Sequence, residues 1–206
     1  MNLHEITFQL NESEKIIIEL NEPLSMVHCC YEAPLFFVTK TEKIQIDSAD
    51  VRYYMHQLQS LLVMALDNQL QLHESVQDYI GYFYAQYMFY WYDREIAKEF
   101  GLIFDEDNRW VGNKHLLFAY DIAIWMYNDA DGAIVLEFTP WYTQNRFDEE
   151  GETDFTQYDS FLKNYKTLFS RTISCEVAEQ WLTQANQILQ QIADNIERFS
   201  KKKESK

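Results

Sequence analysis

Residues 109–142 read RWVGNKHLLFAYDIAIWMYNDADGAIVLEFTPWY, and this stretch decides the fold class. Two apolar runs, residues 116–127 and 133–138, flank Asn128-Asp129-Ala130-Asp131-Gly132, a set of turn-forming side chains ending in a glycine able to take positive φ. The pattern predicts an antiparallel hairpin. On its first strand Ile122, Ile124 and Met126 share one face, and Trp125 and Tyr127 the other; on the second, Ile134, Leu136 and Phe138 alternate with Val135 and Glu137. Both faces carry bulk, so the hairpin is expected at the centre of a sheet with helices over at least one side. Pro140 ends the second strand, because it cannot donate to a ladder.

On the N-terminal side, the polar loop Asp105-Glu106-Asp107-Asn108 separates the hairpin from an aromatic segment at residues 75–100. There Tyr82, Phe83, Tyr84, Tyr87, Phe89, Tyr90, Trp91 and Tyr92 fall within eleven positions. Rings at this density either fill a core or form a contact surface for a partner or ligand. The core reading is favoured by base composition of interiors, and Tyr84, Tyr87 and Trp91 are the rings a partner would use. On the C-terminal side, residues 147–155 gather Asp148, Glu149, Glu150, Glu152 and Asp154, which read as a solvated loop, and otherwise as a docking surface for basic side chains or a loose cation site. A short helix at residues 158–165, with Tyr158, Phe161, Leu162 and Tyr165 inward, and a strand at residues 168–173 follow. Ser174 then caps a long final helix whose stripe includes Val177, Ala178, Trp181, Leu182, Ala185, Ile188, Leu189, Ile192, Ile196 and Phe199.

The N-terminal third offers strands at residues 6–10 and 16–20, paired as a hairpin, and another at residues 35–39; residues 24–33 take no assignment. A helix begins at Asp47 or Ser48 as cap, with Val51, Tyr54, Met55, Leu58, Leu61, Leu62, Ala65 and Leu66 as its apolar stripe and His56 off it. The expected architecture is α+β: a mainly antiparallel sheet around the central hairpin, packed by this middle helix and the long C-terminal helix. One domain is expected over residues 1–199, with residues 200–206 a frayed basic tail.

Composition narrows the partners. The 206 residues are 47% hydrophobic with only 5 Gly and 3 Pro, so the chain should fold around a real core. Its 33 acids against 17 bases give a net charge of -16. The last six residues hold four bases and one acid, which leaves -19 on residues 1–200. Such a field repels nucleic acid and anionic membranes and attracts basic partners. The N-terminus lacks a signal-peptide pattern, the uncharged stretch 79–92 is too short to cross a membrane, and three cysteines with Cys29 and Cys30 adjacent fit reduced thiols. A cytoplasmic location is expected.

Motifs for chemistry are sparse. No two glycines lie close enough for a dinucleotide fingerprint or a phosphate loop, so no cofactor is assigned. Asp129-x-Asp131-Gly132 has part of a calcium loop's spacing, but Tyr127 and Phe138 would occupy its first and last ligand positions. His4, His28, His56, His73 and His115 are scattered, and His28-Cys29-Cys30 is awkward for a tetrahedral metal, so no metal is assigned. No catalytic residue is assigned either. An acid pair such as Asp121 with Glu137 has no supporting pattern, and Glu137 reads as a strand carboxylate at the sheet rim or beside a base.

The order Trp110-x-Gly112, Leu116-Leu117-Phe118, Trp125-Met126-Tyr127-Asn128, Gly132-x-Ile134-x-Leu136-Glu137-x-Thr139-Pro140-x-Tyr142, Lys163-Asn164-Tyr165-Lys166 and Gln180-Trp181-Leu182 resembles a group of small uncharacterised bacterial proteins. The resemblance covers about the last hundred residues and implies fold and bacterial origin, but no catalytic residue. In size, charge and class the chain is also similar to immunity proteins, which neutralise toxins from neighbouring cells. Three functions are therefore expected in order: an acidic inhibitor of a basic protein; a small-molecule-binding or enzymatic domain with an aromatic-lined pocket; and an assembly subunit joining copies of itself, a homo-oligomer, through the last helix.

Overall fold

The computed structural model describes residues 4–76, 79–90, 94–99, 101–107, 109–119, 122–142 and 155–204. In chain order the elements are β1 (Glu5–Gln9), β2 (Lys15–Glu19), β3 (Glu32–Val38), β4 (Lys43–Asp50), α1 (Val51–Leu66), α2 (Ile80–Phe89), α3 (Arg94–Glu99), β5 (Leu116–Ala119), β6 (Ile122–Asn128), β7 (Ile134–Pro140), α4 (Phe155–Asn164), β8 (Phe169–Ile173) and α5 (Cys175–Glu204). They form two compact units, one from Met1–Gln69 with Ile173–Lys206 and one from Leu70–Thr172. Each has a four-stranded antiparallel meander, β1-β2-β3-β4 and β5-β6-β7-β8. The α+β class expected from sequence is what the chain adopts.

In the first unit, Ile6 faces Ile18 and Ile18 faces Leu35, while Phe8 faces Ile16 and Ile16 faces Phe37. These two rows put six apolar side chains on one face, all buried. Helices α1 and α5 pack together, with the Trp181 ring edge-on to Phe8 at 5.6 Å. The edge of β1 is covered by α5: the Trp181 indole donates to the Gln9 carbonyl at 2.9 Å and the Gln184 amide to the Thr7 carbonyl at 3.0 Å. Outward carbonyls that would template another strand are thereby satisfied within the unit. Residues 24–33 contain a single helical turn, Leu24–Met26, pinned to α5 where Asn195, buried in the apolar stripe, donates to the carbonyls of Leu24 at 2.9 Å and Val27 at 2.7 Å.

One helix boundary differs from expectation. Asp47 and Ser48 lie in β4, Asp47 opposite Leu35 and Ser48 opposite Pro34, because Ile44 and Ile46 carry an extra strand along β3. The ladder steps between Leu35 and Phe36, leaving Ile46 as a bulged, fully buried residue. The cap of α1 is Asp50, whose carboxylate accepts from the Tyr53 amide at 3.0 Å. Downstream the stripe is as expected, with Val51, Tyr54, Met55, Leu58, Leu61, Leu62 and Ala65 buried. Helix α5 also runs to Glu204, through most of the segment expected to fray.

In the second unit the β6–β7 hairpin pairs Ile122 with Pro140 through to Asn128 with Ile134. Its turn is closed by Asp129, whose carboxylate accepts from the amides of Asp131 at 3.0 Å and Ala133 at 2.8 Å, with Gly132 at φ 82. Both strands are central in their sheet, and six of the seven residues of β7 are buried. The run at residues 116–127 is two strands rather than one. Leu116 pairs with Trp125 and Ala119 with Ala123, so β5 and β6 are antiparallel neighbours; residues 120–121 lie outside the described set.

Candidate functional site

Helix α2 is apolar nearly all round, with Ile80, Gly81, Tyr84, Ala85, Gln86, Tyr87 and Phe89 buried, and so sits inside its unit rather than on its surface. Tyr84 is 7% exposed and Tyr87 8%, so these two rings, expected at a partner surface, are packed in the interior. Tyr84 meets Trp125 at 5.0 Å and Trp141 at 4.8 Å, while Tyr87 stacks on Trp110 at 5.5 Å. Nearby, Phe89 and Tyr158 stack at 3.8 Å with planes 2° apart. Each contact buries ring area and adds about 1 kcal/mol beyond it. Burial raises the Tyr87, Tyr158 and Tyr165 hydroxyls above the ordinary tyrosine range, so they stay neutral. Trp91 and the five loop carboxylates, Asp148, Glu149, Glu150, Glu152 and Asp154, lie outside the described residues.

Glu137 is a buried carboxylate, and it is not at a rim. It is 5% exposed on the central strand β7, accepting from the Tyr127 hydroxyl at 2.8 Å and the Thr167 hydroxyl at 3.2 Å. Next on the same face, Thr139 is fully buried and accepts from the Trp125 indole at 2.8 Å. A Cβ on Gly81 would stand 2.4 Å from Thr139 Oγ1 and 2.5 Å from the Tyr165 hydroxyl, so the missing side chain is what lets α2 settle on β7 here. The arrangement gives a buried carboxyl group hydroxyl partners. Asp121, the other half of the acid pair weighed from sequence, lies outside the described residues.

A second constellation is built by residues 103–115. Asp105 and Arg109 exchange main-chain and side-chain bonds: the Asp105 amide donates to the Arg109 carbonyl at 2.8 Å, and the Arg109 amide to Asp105 Oδ1 at 2.8 Å. The Val111 amide donates to the Ile103 carbonyl at 3.0 Å. Trp110 then folds over Gly112, where a Cβ would lie 2.2 Å from its ring. A single helical turn, Asn113–His115, follows and is anchored by the fully buried His115. Burial, helped by the neighbouring Lys114 ammonium and opposed by the Met126 backbone, holds this imidazole down at about 4. It is neutral at pH 7. Asp105, Arg109, Trp110, Val111, Asn113 and Lys114 line a cavity of about 300 Å³ beside this turn. The signal for it was present in sequence as Trp110-x-Gly112, but spacing alone does not show that the ring folds back onto the glycine.

The remaining candidates do not converge. His4, His28, His56 and His73 are exposed and apart, and among the described residues no group of three His, Cys, Asp or Glu side chains gathers as a metal site. Cys29, Cys30 and Cys175 are free and exposed, the first two in a turn rather than a strand, with Cys30 at φ 60. Among the described residues no helix is long and apolar enough to cross a membrane. In comparisons with protein-family models, curated proteins and solved structures, the chain matches none.

Proposed function

We propose that this chain is an acidic protein-binding module of the bacterial cytoplasm that captures a basic protein, in the manner of an immunity or antitoxin-like inhibitor. The observation that carries the reading is charge: a net -16 over 206 residues, unevenly held. Between Leu70 and Thr172 there are 18 acids and 8 bases, a net -10, in the unit that also contains the loop carboxylates. On its described surface Glu95, Glu99, Asp105, Glu106 and Asp107 are exposed. A field of this sign speeds the encounter with a cationic surface and suppresses binding to phosphate backbones. Docking is assigned to Asp148, Glu149, Glu150, Glu152 and Asp154, while Tyr84 and Tyr87 are core rings.

The test is affinity capture from the native cell on the wild-type chain and on a variant with those five residues changed to Asn and Gln. Basic proteins retained by the wild type and lost by the variant are the expected result. If both chains retain the same proteins, or neither retains a basic one, the docking assignment is wrong.

A further inference from the structure

Cys29 and Cys30 are adjacent, free and exposed, and the fold fixes how the pair is presented. They are the two central residues of a turn, with Cys30 at φ 60 and Cys29 outside the left-handed region, which among the described non-glycine residues holds only Cys30 and Asn68. Positive φ at the second central position alone defines a type II turn, in which ψ at the first is about +120°. Added to φ 60 at Cys30, that ψ brings the two Cα–Cβ bonds to the same side of the chain, where a strand would send them to opposite faces. Both flanks of the turn are pinned. Before it, Val27 is fully buried and its carbonyl accepts from the Asn195 amide at 2.7 Å. The His28 ring donates from Nδ1 to the Cys29 carbonyl at 2.9 Å and lies edge-on to Phe199 at 5.6 Å. After it, the Tyr31 carbonyl accepts from the Val51 amide at 3.0 Å and the Tyr31 hydroxyl from the Glu22 amide at 2.9 Å. The two thiol arms thus start from one side of a turn that is already ordered, and capture of a shared ligand costs little backbone freedom.

What such a pair can hold follows from spacing. A disulfide needs Cα atoms about 4.4 Å apart or more, whereas neighbours across a trans peptide stand about 3.8 Å apart, so a direct bridge between the two is strained. One larger atom bonded to both sulfurs meets no such limit. A structural zinc takes four protein ligands, and among the described residues no group of three His, Cys, Asp or Glu side chains gathers here. We propose that Cys29 and Cys30 form a dithiol clamp for a soft three-coordinate centre that brings one substituent of its own, a monosubstituted trivalent arsenical. Two sulfurs and one carbon complete its shell, and thiolates favour a soft centre over a hard cation. With an arsonous acid, R–As(OH)2, two As–O bonds break and two As–S bonds form. Each hydroxide leaves as water with one thiol proton, and no atom changes oxidation state.

The test uses the full reduced chain, phenylarsonous acid as the probe, and intact mass as the readout in the presence of excess monothiol, 2-mercaptoethanol. One phenylarsenic group per chain is expected to survive, because the second sulfur acts from an effective concentration on the order of millimolar. Cys29→Ser and Cys30→Ser should each weaken retention about 100-fold or more, while Cys175→Ser should retain the group as the wild type does. All three positions are exposed, so the variants are expected to fold. The adduct should also raise the melting temperature, since the unfolded chain has to order both arms to hold the same group. The proposal is overturned if no adduct survives the monothiol, if Cys29→Ser or Cys30→Ser keeps it, if Cys175→Ser loses it, or if the adduct leaves the melting temperature unchanged or lowers it.

Discussion

Burial holds the His115 imidazole near 4, whereas in the unfolded chain it titrates at the ordinary 6.5. Between those values the unfolded state carries more protons than the folded one, so stability is full above pH 6.5 and falls as pH drops towards 4, levelling below. The loss attributable to this ring is about 3 kcal/mol. Asp47 works the other way, because burial raises its carboxyl and favours the folded state as it protonates. The informative quantity is therefore the difference between wild type and His115→Leu in urea midpoint from pH 7.5 to pH 4: the wild type should lose its lead progressively, and parallel curves would refute the assignment. Gly81 gives a second residue-scale expectation. Alanine would raise helix propensity by about 1 kcal/mol, but its Cβ would meet buried Thr139 and Tyr165 atoms at 2.4 Å and 2.5 Å, a clash costing about 1–3 kcal/mol. Gly81→Ala is predicted to lower the melting temperature, and a stabilised variant would show that β7 and α2 are not in contact there. Neither residue is legible from its neighbours. A lone His and a helical Gly have ordinary surface readings until the strand opposite is known.

Elements were legible where periodicity and turn chemistry agreed. The Asp129 to Gly132 turn, the β1–β2 hairpin and the stripe of α5 all follow from local pattern, because side-chain spacing, capping and burial point the same way. Two boundaries were hidden. Three capping-type residues, Asp47, Ser48 and Asp50, precede α1, and only the pairing of β4 with β3 selects the last. Likewise the boundary between β5 and β6 has no Gly, Pro or Asn to mark it, so one apolar run conceals two strands. The cap assignment makes a quantitative prediction. Asp50→Ala should cost about 1 kcal/mol by chemical denaturation, while Ser48→Ala, at an exposed strand position, should cost well under that. Equal losses would place the cap elsewhere.

At the scale of the whole chain, the division into Met1–Gln69 with Ile173–Lys206 and Leu70–Thr172 carries no mark in sequence. Neither crossing, Gln69 to Leu70 or Thr172 to Ile173, has the Pro, Gly or Ser enrichment of a linker. Charge, in contrast, is fully legible, because it needs no fold to be counted. It also sets the central expectation, that association with other proteins is governed by negative potential. The most direct measurement is the retention of native-cell proteins on the immobilised chain as salt rises from about 50 mM to about 500 mM, a range that shortens the screening length several-fold. Specific retention of proteins with high isoelectric points, released progressively as salt increases, is the predicted result. Retained proteins that are neutral or acidic, or that stay bound regardless of salt, would contradict it.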